Sequence, residues 1–221
     1  TWVQNTLLTL AIITVFMGSM LAYKEKLLKR RLAYSTVSQV SYVLFGLFLL
    51  HPLGFLGALM QVVFHAVAKN ILFLGAGAII YKTGKTFVYE LRGLGKEMPI
   101  VMWTFAIASL SLIGIPPTAG FVSKWYLAVG SLSSETGFYS WLGPVVLLLS
   151  ALLTAGYLLP ITMKGFFPGE EESRKGFVRK EADSVMLVPI LLLAVLAVVL
   201  GMFPGGLISL ISNIAQQLFQ M

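Results

Sequence analysis

The sequence has no cysteine, few charges and no acidic residue inside any of its long apolar runs, and each of these deficits removes a class of chemistry. Without thiols nothing points to disulfides, thiolate metal sites or iron–sulfur ligation, and electron-carrying chemistry is not expected within the chain. Nor is there a Gly-x-Ser-x-Gly elbow, a His-Glu-x-x-His pair or a glycine-rich phosphate loop, so hydrolytic chemistry and nucleotide binding are not expected either. No cofactor and no metal are implied. Charged residues make up 11% of the 221 positions, against roughly 25% in an ordinary soluble domain. What is abundant is apolar: 57% of the chain, with a mean hydropathy of +0.88. The solvent for most of this chain is lipid.

The net charge of +7 does not indicate nucleic acid, because the basic residues sit in short clusters between apolar runs and form no basic-aromatic recognition face. The sequence opens on Thr1 rather than Met, and its first apolar run lacks a basic region before it and is followed by further membrane segments. A cleaved signal peptide is therefore not expected, and the chain reads as a fragment or as a protein missing its N-terminal half.

A bilayer core takes about 20 apolar residues as helix. On that measure the spans are Thr6–Tyr23, Leu32–Leu50, Leu53–Ile80, Trp141–Met163 and Val185–Phe203. Between the third and fourth, Pro99–Ser131 is apolar throughout but interrupted at residues 115–120 by Ile-Pro-Pro-Thr-Ala-Gly. As one straight helix it would be ~50 Å long, too long for a single crossing. Charge decides between two short crossings and one broken one, because cytoplasmic loops carry the Lys/Arg excess. Five of the sixteen basic residues lie in Lys24–Arg31, four in Lys82–Lys96 and five in Lys164–Lys180. One discontinuous helix puts all three clusters on the same side. The expectation is an all-α polytopic membrane protein with six crossings, both termini outside and the basic loops cytoplasmic, in an energy-coupling membrane such as a prokaryotic cell membrane. Beyond Pro204, residues 204–221 carry a helical apolar stripe at 207, 208, 211, 214, 215 and 218, which suits an amphipathic tail along the outer interface or against a partner.

Fourteen basic residues are thus in loops, and two are not: Lys69 and Lys124 lie inside spans. A lysine at mid-bilayer costs about 2.5–3.5 kcal/mol on insertion scales, so intramembrane ionisable groups line ion paths or pair internally. Snorkelling suits lysines near helix ends, and Lys69 is eleven residues from the end of its run. Gln61, His65 and Lys69 recur every four residues and form one polar row on an otherwise apolar helix. Burial makes the charged ammonium costly to keep, which brings proton exchange within its reach. The broken helix adds the second element. Pro116 and Pro117 donate no backbone hydrogen bonds and leave carbonyls free one turn earlier, while Gly114 and Gly120 relax the backbone, and Lys124 follows four residues after Gly120. Non-helical backbone at membrane depth survives where it faces protein or a water-filled cavity, and such breaks mark ion sites in transporters. All nine acidic residues are in loops, so a buried carboxylate partner for either lysine has to come from another chain or segment.

The stretch Leu28–Gln39 (LKRRLAYSTVSQ), the run His65–Lys69 (HAVAK) with Leu72 and Phe73, the run Leu91–Gly95 (LRGLG), and Ser111–Lys124 (SLIGIPPTAGFVSK) resemble the antiporter-like subunits of complex I, Mrp cation/proton antiporters and membrane-bound hydrogenases. The likeness runs from about Lys24 to Gly205, and the runs from Ser38 and Ser123 look closer to the Mrp and hydrogenase branch. It implies a fold of two inverted five-helix repeats, of which this chain resembles the second repeat plus one helix. It also implies proton, or sodium/proton, translocation through Lys69, His65 and Lys124, with Gln61 in support, inside a redox-driven or Mrp-type complex. Other membrane subunits, lipid and a segment supplying the first repeat are the implied partners. Two positions depart from the family pattern: Leu27 where many members have Asp, and Gln61 where some have a second His. The competing expectation is a non-conducting subunit that scaffolds a neighbouring pump.

Overall fold

The computed structural model describes residues 1–170 and 177–219. Four of the loop residues counted above, Glu171, Glu172, Arg174 and Lys175, lie outside the described residues, as do the last two residues of the tail.

The helices follow from their end signals. Helix α1 (Trp2–Lys24) starts on Thr1, whose hydroxyl accepts from the Gln4 amide in a capping box. Helix α2 (Leu28–Phe48) follows a three-residue turn. Helix α3 (Pro52–Thr83) begins on a proline, with His51 Nδ1 accepting from the Leu53 amide at 3.2 Å, and stops at Gly84 with φ 71°. A 3₁₀ turn (Val88–Leu91) and the short α4 (Leu94–Glu97) lead into α5 (Pro99–Ile113). After the break come α6 (Ala119–Leu132), α7 (Phe138–Phe166), α8 (Ser184–Met202) and α9 (Gly205–Phe219).

Helices α1, α3, α7 and α8 are long and apolar enough to cross a bilayer. Helix α2 is 21 residues long, but it buries Ser35, Ser38, Gln39, Ser41 and Tyr42 and so lacks the uniform apolarity of those four.

Helix α3 is central. It packs on α2, α5, α6, α8 and α9, while α1 and α7 close around α2 and α5. At the basic-loop end, Ala68, Ile71, Leu72 and Ile79 of α3 bury against Val101, Phe105 and Leu112 of α5, Tyr157 and Leu158 of α7 and Ile190 of α8. Without a hydrophobic force between lipid-facing helices, close approach relies on small residues. Where α2 meets α3, a side chain on Gly54 would lie 2.8 Å from the Gly46 carbonyl oxygen, so both crossing residues have to be glycine. The tail helix α9 is seated on the chain's own α3 through Ile211 and Ala215, with the Phe55 and Phe219 rings 6.0 Å apart.

The helix break falls at residues 114–118. Ala119 and Gly120, expected inside it, begin α6 instead, because Gly120 fits directly against the last turn of α5 and its amide donates to Ser111 Oγ at 3.3 Å.

Candidate functional site

Helix α5 ends at Gly114, whose φ of 90° turns the chain out of the helix while its amide bonds back to Leu110. Four carbonyls at a helix C-terminus have no partner within the helix, and they are the negative end of the helix dipole. Two of them, those of Leu112 and Ile113, accept hydrogen bonds from Lys124 Nζ at 2.5 and 2.7 Å. The broken helix is thus closed by its own lysine: Pro116 and Pro117 stop the backbone from continuing, and the ammonium occupies the place of the missing amides. The Tyr42 ring of α2 lies with its centroid 5.5 Å from the same nitrogen.

Lys69 is 6% exposed. Its ammonium donates to the Leu32 carbonyl of α2 at 2.6 Å and to Ser35 Oγ, and it lies 5.8 Å from the centre of the Phe73 ring. Neither ammonium has a carboxylate partner among the described residues, whose ion pairs, Arg30–Glu25, Lys82–Asp183 and Lys85–Glu97, all involve loop acids.

Gln61 joins the two lysine environments. Its amide nitrogen donates to Gln39 Oε1 on α2 at 2.8 Å, and its carbonyl oxygen accepts from Ser123 Oγ on α6 at 2.5 Å. Ser123 precedes Lys124, and Gln39 is one turn beyond Ser35, so a polar seam runs from Lys69 across α2, α3 and α6 to Lys124. His65 lies one turn from each of Gln61 and Lys69 on α3. Its Nδ1 is buried without a partner among the described residues, as is Gln39 Nε2. Buried polar atoms that have no protein partner are the ones ordered water serves.

The structure therefore brings together the residues singled out from sequence: Gln61, His65 and Lys69 on one helix, and Lys124 at the break made by Gly114, Pro116, Pro117 and Gly120. It adds four that the motif spacing did not single out for the site, Ser35, Gln39, Tyr42 and Ser123. Three of these come from α2, and the usable signal was the cluster of polar residues Ser35, Ser38, Gln39 and Ser41 inside a helix long enough to be a span. Among the described residues no cluster of His, Cys, Asp or Glu has metal-site spacing.

Gln61→Leu keeps the core volume but leaves Gln39 Oε1 without its donor, while Ser123 Oγ keeps only the Gly120 carbonyl. One orphaned buried group costs about 1–3 kcal/mol, so thermal unfolding of the solubilised protein should begin at a lower temperature.

Residues 1–154 match a family model described as NADH:quinone oxidoreductase/Mrp antiporter, transmembrane. The NADH-quinone oxidoreductase subunit N of Desulforudis audaxviator is 41% identical over 206 residues, which is 88% of this chain and 40% of that relative. Among solved structures, the Mrp complex from Dietzia sp. DQ12-45-1b superposes with a TM-score of 0.85 at 25% identity, covering 99% of this chain and 47% of its counterpart. Respiratory complex I from Thermus thermophilus gives 0.86 at 25% identity, covering 98% and 44%. The chain spans less than half the length of the proteins it matches. The matched family is a transmembrane one and, among the described residues, four helices are long and apolar enough to cross a bilayer, so the chain is an integral membrane protein.

Proposed function

The chain belongs to the NADH:quinone oxidoreductase/Mrp antiporter transmembrane family, and from that premise we propose that it carries protons across a membrane along the seam between Lys69 and Lys124. The observation that carries this reading is the pairing of two membrane-embedded ammoniums with neutral oxygens only. Lys69 rests on a carbonyl and a hydroxyl, and Lys124 on two carbonyls. Such partners orient each amine without locking it in an ion pair, which leaves its proton able to pass to a neighbouring water or imidazole. His65 and the Gln61 bridge lie along the way, and an imidazole passes protons between its two nitrogens. Lys69 takes the central position and Lys124 the exit toward the outer side.

In this reading the chain crosses the membrane six times, α5 and α6 together making one broken crossing, with the termini outside and the basic loops inside. It fills the place of the second inverted repeat plus one helix. The first repeat and a carboxylate facing Lys69 come from a further segment or a neighbouring subunit of a multi-subunit membrane complex. The redox or ion gradient that drives it comes from there too, and coupling to sodium would enter at the same lysines.

The test is a high-resolution map of the whole complex. Ordered waters should link Lys69 to Lys124 past His65 and Gln61, touching His65 Nδ1 and Gln39 Nε2. Both lysines sealed in dry protein would make the chain a scaffold. Removing the imidazole alone, in His65→Gln, should slow proton flux in proteoliposomes about 100-fold, the lower end of what a positioned proton-transfer group contributes.

A further inference from the structure

The proton seam does not use the basic end of the bundle, where the helix ends enclose a cavity of about 480 Å³. Its walls include Lys26, Arg31, Arg92 and Lys164, with Tyr23 and Tyr89 beside them, and no acidic side chain lines it among the described residues. Arg31 is already engaged. Its guanidinium donates to the backbone carbonyls of Glu25 at 2.6 and 2.9 Å and of Tyr157 at 3.0 Å, and it acts as a brace between α2 and α7. Lys26, Arg92 and Lys164 have no ion-pair partner among the described residues.

The rim is held rigidly. Val88 N donates to the Lys26 carbonyl at 2.9 Å, Leu28 N to the Thr86 carbonyl at 3.0 Å and Gly93 N to the Lys164 carbonyl at 3.0 Å, so the loops carrying Lys26 and Arg92 are tied to one another and to α7, which carries Lys164. The Glu25 carboxylate, the nearest acid in sequence, is turned into its own loop. It accepts from the amides of Leu27 and Lys26, and these bonds hold its pKa below the ordinary carboxylate value. Further along α7 from Lys164 the wall changes character to Pro160 and Gly156. Gly156 has no side chain to obstruct the Tyr23 ring, which packs 3.2 Å from where a Cβ would stand.

We propose that this cavity binds the headgroup of an anionic phospholipid, with one phosphodiester held by Lys26, Arg92 and Lys164 and the acyl chains leaving along α1 and α7 past Gly156 and Pro160. The chemistry follows from the lining. A guanidinium fork and two ammoniums supply directed donors to phosphate oxygens. Tyrosines favour the headgroup level of a bilayer, and basic pockets between membrane helices on the cytoplasmic side suit anionic headgroups. Lipid, rather than free phosphate, is the occupant because the cavity opens where helices α1 and α7 end and has an apolar floor. The proposal rests on the membrane placement of the chain and not on the proton path.

The complete protein in proteoliposomes, with a photoactivatable phosphatidylglycerol carrying its diazirine near the glycerol backbone, tests it. Photoactivatable phosphatidylcholine is run in parallel. Peptides spanning residues 86–96 and 157–164 should be labelled about tenfold more by phosphatidylglycerol. In a Lys26→Gln, Arg92→Gln, Lys164→Gln protein that labelling should fall to the phosphatidylcholine level, while Lys29→Gln, outside the cavity, leaves it unchanged. Should the triple variant fail to insert, Arg92→Gln alone is read against a threefold fall. Equal labelling by the two lipids, labelling unchanged in the variants, or displacement by inorganic phosphate at the lipid concentration would each overturn the proposal. Proton flux is not the readout, so failure here leaves the transport reading standing.

Discussion

Proton flux through the assembled complex should fall to background when either lysine is replaced, in Lys124→Ala and in Lys69→Ala. The side chains do not merely fill space. In the proposed relay each ammonium carries the proton at a depth where His65 is the one other basic side chain among the described residues, and alanine leaves a gap that a hydrogen-bonded chain has to cross without a carrier. Alanine at position 124 also removes the donor to the Leu112 and Ile113 carbonyls, a loss of about 1–3 kcal/mol for each carbonyl that water does not reach. That is small enough for the complex to assemble, and the amount of subunit in the purified complex is therefore measured beside the flux. The arginine variants separate two roles for the charge. A guanidinium can bond the same carbonyls but does not release its proton. Lys124→Arg should therefore assemble at the wild-type level and still fail to conduct. If it conducts, the residue acts as a fixed charge and the relay is wrong at that point; if alanine conducts in correctly assembled complex, the path does not pass through Lys124.

Much of this arrangement is legible in the sequence. Lys69 and Lys124 stand out because topology has no loop for them, and Gln61, His65 and Lys69 share a face through simple helical spacing. The proline pair located the interruption to within two residues, since Pro116 and Pro117 cannot extend a helix whatever surrounds them. What spacing could not supply was the partner of each lysine. Lys69 reaches Ser35 across 34 positions of sequence, and Gln61 meets Ser123 across 62. Contacts of that kind depend on how α2, α3 and α6 pack, and that packing is set by glycines whose significance is steric and only visible in three dimensions. For the same reason the start of α6 differs from the sequence expectation: a glycine after two prolines reads as part of a loop, whereas here its bare Cα lets the first turn of α6 rest on α5.

The Ser35–Gln39–Tyr42 face of α2 illustrates the other limit. Serine and glutamine in a membrane helix are inexpensive compared with lysine, so they carry little weight one at a time. Their meaning comes from what they face. Ser35 faces Lys69, Gln39 faces Gln61, and the Tyr42 ring faces Lys124. One helix without a charge in its membrane portion therefore meets Lys69, Gln61 and Lys124 in turn.

The smallest substitution with a large effect should be Gly120→Ala. A Cβ at this position would stand 2.8 Å from the carbonyl carbon of Ser111 and closer still to its oxygen. These are backbone atoms in the last turn of α5, not the end of a flexible side chain, so the clash can be relieved only by moving the two half-helices apart. Moving them carries the Leu112 and Ile113 carbonyls away from Lys124 and breaks the Gly120 amide bond to Ser111 Oγ. Overpacking of this kind costs about 1–3 kcal/mol and sometimes more, and here it acts on the hinge of the site. Thermal unfolding of the solubilised protein should shift down sharply, and flux should drop with both lysines still present. Gly77→Ala is the matched control. It is a helical glycine with nothing within 4 Å of the added carbon, and relief of glycine's backbone entropy in a helix is worth roughly 0.5–1 kcal/mol, so that variant should melt at or above the wild-type temperature with flux unchanged. If Gly120→Ala behaves like Gly77→Ala, the close contact between α5 and α6 is not what holds Lys124 on its carbonyls.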